Sequence, residues 1–148
     1  MPVDNAVYVD TSTLIKWYVS EPYSNEVEAF LTGDIQPVLS SLSMLEWDCT
    51  MRRRERAGSF DAHYRLLAER EFAKQLAEGF FQYADIVRQV FDLARELIRQ
   101  VEPVPLRAMD ALHLASASSL GISRFATSDR ILAEAARKLG MTIHYFND

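Results

Sequence analysis

The sequence has 148 residues, of which 49% are hydrophobic and 25% are charged, and its formal net charge is −5. This length and composition suit one globular domain, which we expect to span residues 1–148. No apolar stretch approaches the roughly 20 residues that cross a bilayer. The N-terminus also lacks the basic and apolar run of a secretory signal, so we expect a cytoplasmic protein with no membrane partner. The acidic balance argues against tight, purely electrostatic binding of long nucleic acids.

Short apolar runs alternate with helical patterns along the chain. We expect strands at residues 7–9, 36–40, 79–83, 123–127 and 141–145. We expect helices after residue 10 and at residues 23–31, 41–57, 60–77, 84–100, 106–120 and 129–139. The third and fourth of these helices would form an antiparallel hairpin. Such alternation predicts an α/β fold with a parallel sheet of about five strands and helices on both faces.

Two carboxylates are expected just beyond the carboxyl ends of strands. Asp10 follows the first strand directly, and Asp129 comes two residues after the fourth. Functional groups of parallel sheets collect at this edge. Each residue could instead cap the following helix, or could cap it with one oxygen and bind a metal ion with the other.

Glu46 and Asp110 are expected on helices, among apolar neighbours. Asp110, for example, shares a helical stripe with Leu106. A carboxylate in such surroundings is costly unless it is paired or bound to a metal ion. Ion pairs with Arg53 and Arg107 are the alternative explanation for these two acids.

Together, Asp10, Glu46, Asp110 and Asp129 can meet at one pocket. Closely packed carboxylates repel one another unless a cation lies between them. An all-oxygen set of ligands suits Mg²⁺ or Mn²⁺. Such an ion lowers the pKa of a bound water, which is the chemistry of phosphodiester hydrolysis.

Other polar residues allow two interpretations each. Ser12 could cap a helix, or it could reach a metal-bound water or a phosphate. His113 is interpreted as structural, because the four acids explain the site without an imidazole. The basic run at residues 52–56 is either a solvated helix face or a grip for RNA phosphates or an acidic partner. Cys49 is the single cysteine, so no internal disulfide can form, and its apolar surroundings predict a buried side chain.

Four segments resemble the motifs of PIN domains, in order and with typical intervals. They are Tyr8-Val9-Asp10-Thr11-Ser12, Leu42-Ser43-Met44-Leu45-Glu46, Arg107-Ala108-Met109-Asp110-Ala111-Leu112-His113-Leu114-Ala115 and Phe125-Ala126-Thr127-Ser128-Asp129-Arg130-Ile131-Leu132. The resemblance covers the whole chain. The length and the lack of further domains resemble VapC, the toxin of type II toxin–antitoxin pairs.

The resemblance implies an α/β/α sandwich and an endoribonuclease that depends on Mg²⁺ or Mn²⁺. By position it gives Asp10, Glu46, Asp110 and Asp129 the catalytic, metal-binding roles, and Ser12 a supporting one. It also implies a homodimer and a VapB-like antitoxin, which places a basic side chain in the acidic pocket and binds operator DNA. Our hypothesis is that the antitoxin contacts the helical hairpin at residues 42–77.

Three other functions were weighed. A receiver domain would need adjacent acids after the first strand and a lysine at a late strand end, and residues 123–128 contain no lysine. A non-catalytic binding module would not need four intact acids. A PIN-like nuclease of RNA processing, outside any toxin pair, would keep the same site.

Overall fold

A computed structural model describes residues 4–148 of the chain. Its five strands are all parallel and form one sheet in the order β3-β2-β1-β4-β5. The strands are β1 (Ala6–Val9), β2 (Gln36–Ser40), β3 (Gln82–Ala84), β4 (Arg124–Thr127) and β5 (Thr142–Tyr145). The helices are α1 (Thr11–Tyr18), α2 (Ser24–Leu31), α3 (Ser41–Arg56), α4 (Ala62–Ala77), α5 (Arg88–Gln100), α6 (Ala108–Ser119) and α7 (Arg130–Lys138).

Helices cover both faces of the sheet, and each face has its own apolar cluster. Successive residues of a strand point to opposite faces. Accordingly, Tyr8 packs in one cluster with Leu97 and Leu114, from α5 and α6. Its neighbours Val7 and Val9 pack in the other cluster, with side chains of α1 to α4. The predicted α/β/α sandwich on a five-stranded parallel sheet is therefore confirmed.

The strand order reverses between β1 and β4, which places these two strands side by side in the centre of the sheet. In open parallel sheets, the crevice beyond the carboxyl ends of such strands is the usual binding site. Among residues 4–148, no helix is long and apolar enough to cross a membrane.

The structure differs from the prediction around β3. The strand was expected at residues 79–83 but lies at Gln82–Ala84, and α5 begins at Arg88 instead of residue 84. Gly79 adopts a positive φ of 76° and ends α4, and the amide of Phe80 donates to the carbonyl of Gln75. Gly79 and Phe80 therefore belong to the C-terminal cap of α4, so the strand begins later in the sequence, at Gln82.

The prediction that Cys49 is buried was wrong, because its side chain is exposed. The inner face of α3 is formed by Trp47 and Met51, which are buried against the sheet. Cys49 lies two residues from each of them, and so roughly 200° around a helix that advances about 100° per residue.

Candidate active site

Asp10 and Asp129 lie together at the carboxyl ends of the two central strands. The amide of Asp10 donates to the carbonyl of Ala126 across 3.0 Å, which ties the end of β1 to β4. Each carboxylate also caps a helix, because Asp10 accepts from the amide of Thr13 at 3.1 Å and Asp129 accepts from the amide of Leu132 at 2.9 Å. The capping role foreseen for both residues is therefore present, and it occupies one oxygen of each carboxylate.

Two hydroxyl groups orient the buried carboxylate of Asp10. Thr127 donates to its Oδ2 at 2.8 Å and accepts from the amide of Asp129 at 3.0 Å. Ser12 donates to its Oδ1 at 2.8 Å and accepts from the amide of Ser128 at 3.1 Å. Burial raises the pKa of Asp10, and the hydrogen bonds from Thr127 and Ser12 act in the opposite direction. Ser12 thus lies where a supporting residue was predicted, whereas Thr127 was not foreseen.

Glu46 reaches the same site from α3 and is held by His113 of α6. Its Oε1 accepts from His113 Nε2 and, at 2.7 Å, from the hydroxyl of Thr11. Burial is the largest single influence on the pKa of Glu46 and would raise it. His113 and Thr11 together lower the pKa by more than burial raises it, so the pKa lies below its usual value.

The ion pairs considered as the alternative for these acids do not form among the described residues. The partner of Glu46 is His113, and no salt bridge joins Glu46 to Arg53 or Asp110 to Arg107. His113 was expected to be structural, and its contact with Glu46 was not predicted. A signal was present, since His113 lies three residues after Asp110 and therefore one helical turn away.

Asp110 is the acid with the least compensation. Its pKa is raised to about 6, first by burial and then by the negative charges of Asp129 and Asp10. No hydrogen bond to its carboxylate is present among residues 4–148, in contrast to the other three acids. The mutual repulsion expected of clustered carboxylates is therefore concentrated on this residue.

The four acids line one cleft of about 300 Å³. Its remaining lining residues are Thr11, Ser12, Ile15, Thr50, Arg53, Arg54, Arg107 and His113. The floor is thus acidic, whereas the guanidinium groups come from the far end of α3 and from the residue before α6. Arg54 forms an ion pair with Glu21, but neither Arg53 nor Arg107 has a salt bridge to a described residue. A negatively charged ligand could therefore meet both.

The residues present fit a hard divalent cation by their chemistry. Carboxylate oxygens are the ligands that Mg²⁺ and Mn²⁺ prefer, and burial together with the charges of Asp129 and Asp10 raises the pKa of Asp110. Among residues 4–148, no three acidic, histidine or cysteine side chains lie close enough together to hold an ion as they stand.

Comparison with known proteins agrees with this description. The PIN domain family matches residues 7–138. Ribonuclease VapC46 of Mycobacterium tuberculosis (strain ATCC 25618 / H37Rv) is 32% identical over 143 residues, which cover 93% of this chain and 95% of that protein.

Two solved structures share the fold. VapC20 of Mycobacterium tuberculosis, a sarcin-ricin loop cleaving toxin, matches with a TM-score of 0.66 at 14% identity, over 87% of this chain and 94% of that one. VapBC2 of Rickettsia felis, bound to a DNA fragment from their promoter, matches with a TM-score of 0.66 at 13% identity, over 95% of this chain and 98% of that one.

The fold is a parallel α/β/α sandwich with an acidic cleft at the ends of its central strands. Because the family model matches most of the sequence, the chain belongs to the PIN domain family. Within it the chain is similar to the VapC ribonucleases, which confirms the resemblance found in the sequence.

Proposed function

We propose that this protein is an endoribonuclease that depends on Mg²⁺ or Mn²⁺, and that it is the toxin of a type II toxin–antitoxin pair acting in the cytoplasm. The observation that carries the proposal is that Asp10, Glu46, Asp110 and Asp129, from four separate parts of the sequence, line one cleft. The relative VapC46 bears the name ribonuclease, which supports RNA as the substrate.

In this proposal the four carboxylates hold the cation, and the chain's other residues prepare them for it. When bound, the metal ion supplies an activated water for attack on a phosphodiester. Ser12 and Thr127 fix the carboxylate of Asp10 by hydrogen bonds to its two oxygens. Asp129 keeps its place because it caps α7. No protein nucleophile is required.

Arg53 and Arg107 are proposed to bind RNA phosphates next to the one that is cleaved. Arg53 lies seven residues after Glu46 on α3, which is about 10 Å along a helix that rises 1.5 Å per residue. Arg107 comes three residues before Asp110, at the start of α6. The two guanidinium groups therefore flank the acids, and phosphate contacts of this kind position a nucleic acid without reading its sequence.

An antitoxin is the proposed protein partner, since VapBC2 of Rickettsia felis shares the fold. An apolar groove of about 260 Å³ lies between α1 and α4, the second helix of the predicted hairpin, and Trp17, Tyr18 and Leu67 are among the residues that line it. The side chain of Leu67 is 48% exposed, so it is accessible to a partner. A basic side chain of the antitoxin would enter the acidic cleft. Undiminished capture of the antitoxin after Leu67→Glu would refute this assignment. The homodimer implied by the resemblance stays a prediction.

The test is cleavage of labelled total tRNA and rRNA by the purified chain, free of co-purified partner. Reactions contain Mg²⁺, Mn²⁺ or EDTA, and include Asp110→Asn with Asp92→Asn as its matched control, because Asp92 is exposed on α5. Discrete fragments that disappear with EDTA and with Asp110→Asn alone support the proposal. If the wild-type chain cleaves nothing and calorimetry detects no metal binding, the non-catalytic binding module is the better explanation.

A further inference from the structure

A series of hydrogen-bonded polar side chains runs from Ser40 at the start of α3, past Tyr8 of β1 and His113 of α6, to the carboxylate of Glu46. The hydroxyl of Tyr8 lies 2.8 Å from Ser40 Oγ and 2.7 Å from His113 Nδ1. His113 Nε2 contacts Glu46 Oε1. Tyr8 and Ser40 are completely buried and His113 is 1% exposed, whereas the side chain of Glu46 is 26% exposed. The hydrogen-bonded series therefore begins in the core and ends in the cleft.

The direction of these hydrogen bonds follows from their two ends. A carboxylate only accepts, so Nε2 of His113 donates to Glu46. At the other end, the amide of Ser40 donates to Ser43 Oγ at 3.2 Å, and the hydroxyl of Ser40 pairs with Tyr8. In a neutral imidazole that carries its hydrogen on Nε2, Nδ1 accepts, so Tyr8 donates to Nδ1 of His113 and Ser40 donates to Tyr8. Burial raises the pKa of Tyr8, which keeps this hydroxyl protonated.

The imidazole is also held by packing. The ring of Tyr8 stacks on Phe125 with centroids 5.3 Å apart, and it meets the ring of His113 edge-on at 5.5 Å. Both donors to Glu46, His113 and Thr11, contact the same oxygen, Oε1. Two donors on one oxygen fix the rotation of the carboxylate, and Oε2 accepts no hydrogen bond from a described residue.

We propose that His113 is a positioning residue, oriented from the core by Tyr8 and Ser40, that holds Glu46 Oε1 so that Oε2 stays available to a cation in the cleft. A buried polar chain of this kind costs free energy unless every member is satisfied, and when satisfied it makes its surroundings rigid. Partners that orient a metal-binding side chain typically contribute about 10- to 100-fold to metal affinity. This proposal depends on the proposed function in one respect only, which is that the ligand of Oε2 is a metal ion.

The test compares two substitutions that each keep half of the imidazole's contacts. His113→Gln places an amide nitrogen near the position of Nε2 and can still donate to Glu46. His113→Asn places its amide near Nδ1 and loses that contact. We expect His113→Asn to weaken Mn²⁺ binding, measured by calorimetry, by about tenfold or more, and to lower kcat for RNA cleavage with little change in KM. We expect His113→Gln to retain most of both.

Two further variants keep the proposal falsifiable if one substitution prevents folding. Tyr8→Phe removes only the hydroxyl that orients His113 and should also weaken Mn²⁺ binding. Val101→Ala opens the buried core near α5, away from the cleft, and serves as a control for lost stability. Equal Mn²⁺ affinity in His113→Asn, Tyr8→Phe and the wild type would overturn the proposal. So would losses in His113→Gln and His113→Asn that are alike and that match the loss in Val101→Ala.

Failure of the proposed function would be recognised separately. If the wild-type chain binds no Mn²⁺, the metal-dependent nuclease is wrong, and crystal structures of the wild type and of His113→Asn still decide the role of His113. A displaced Glu46 carboxylate in His113→Asn would support positioning, and an unmoved one would refute it.

Discussion

Replacing Asp110 with asparagine should stabilise the metal-free protein at neutral pH while it removes the proposed activity. The pKa of Asp110 is about 6, against an ordinary value of 3.8, because burial and the charges of Asp129 and Asp10 disfavour its carboxylate. Asparagine has nearly the same size and carries no charge. The substitution therefore relieves the repulsion and leaves the packing almost unchanged.

The size of this effect follows from the pKa. At 1.36 kcal/mol for each pH unit, the raised pKa corresponds to roughly 3 kcal/mol as an upper limit. Solvent reaches part of the side chain and screens the interaction, so we expect Asp110→Asn to gain about 1–2 kcal/mol at pH 7.5. At about 2–4 °C per kcal/mol for a chain of this length, the melting temperature in EDTA should rise by about 2–8 °C.

The gain should depend on pH in a defined direction. Between pH 4 and pH 6 the folded wild-type protein keeps the Asp110 proton that the unfolded chain loses, so wild-type stability falls as the pH rises through this window. The advantage of Asp110→Asn should therefore be absent near pH 4 and complete above about pH 6.5. A Mg²⁺ concentration that saturates the wild type should reverse the order, because the wild type binds the ion more tightly and so gains more stability from it.

Thermal and urea unfolding in EDTA across this pH range measure the effect, with Asp92→Asn as the control for loss of one exposed negative charge. A gain that does not change with pH, or a loss of stability at pH 7.5, would show that Asp110 is not under electrostatic strain.

Three further predictions concern other residues of the cleft and of α3. Thr127→Val should lower the free energy of unfolding in urea by about 1–3 kcal/mol, because it removes the hydrogen bond to Asp10 and leaves the partly buried amide of Asp129 without its acceptor. RNA cleavage should fall with it. Arg53→Ala and Arg107→Ala should each raise KM and reduce the slope of log affinity against log salt concentration by about 0.7 in filter binding to single-stranded RNA. Cys49 should react with a thiol reagent in the native protein as fast as in urea.

Matched controls separate these effects from general ones. Thr142→Val makes the same change at an exposed position of β5 and should leave unfolding unaltered, and Arg95→Ala removes an exposed positive charge from α5. Equal salt slopes for Arg95→Ala and Arg53→Ala would mean that Arg53 contributes only to the overall charge. Slow reaction of Cys49 until the protein unfolds would contradict its exposure.

Local sequence patterns were sufficient to predict the sheet and the acids at its edge. The apolar runs at β1 and β4, each followed closely by an aspartate, predicted where Asp10 and Asp129 would lie, because parallel strands present their carboxyl ends at one edge. The helical spacing of Asp110 likewise predicted a carboxylate facing the core side of α6. These inferences succeeded because each depends on residues close together in the sequence.

Contacts between distant residues could not be predicted in this way. Tyr8 and His113 are 105 residues apart, and nothing in either segment indicates that a hydroxyl on β1 will meet an imidazole on α6. The same holds for Thr127, whose hydroxyl reaches Asp10 across 117 residues. The prediction that Cys49 is buried failed for another reason, because apolar neighbours in the sequence do not show which side of a helix faces the sheet.

The four acids differ in how their charges are compensated, and the difference suggests where a cation would gain most. Asp10 and Asp129 each cap a helix, and Glu46 is held by His113 and Thr11. Asp110 alone has no such partner among the described residues, and it carries the repulsion of the others. A divalent ion would therefore relieve more electrostatic repulsion at Asp110 than at the other three acids. Removal of the Asp110 carboxylate should then weaken metal binding by more than the loss of one ligand among four would suggest. Calorimetry with Mn²⁺ on Asp110→Asn and Asp129→Asn would decide this: equal losses in the two variants would mean that compensation in the metal-free state does not set the affinity.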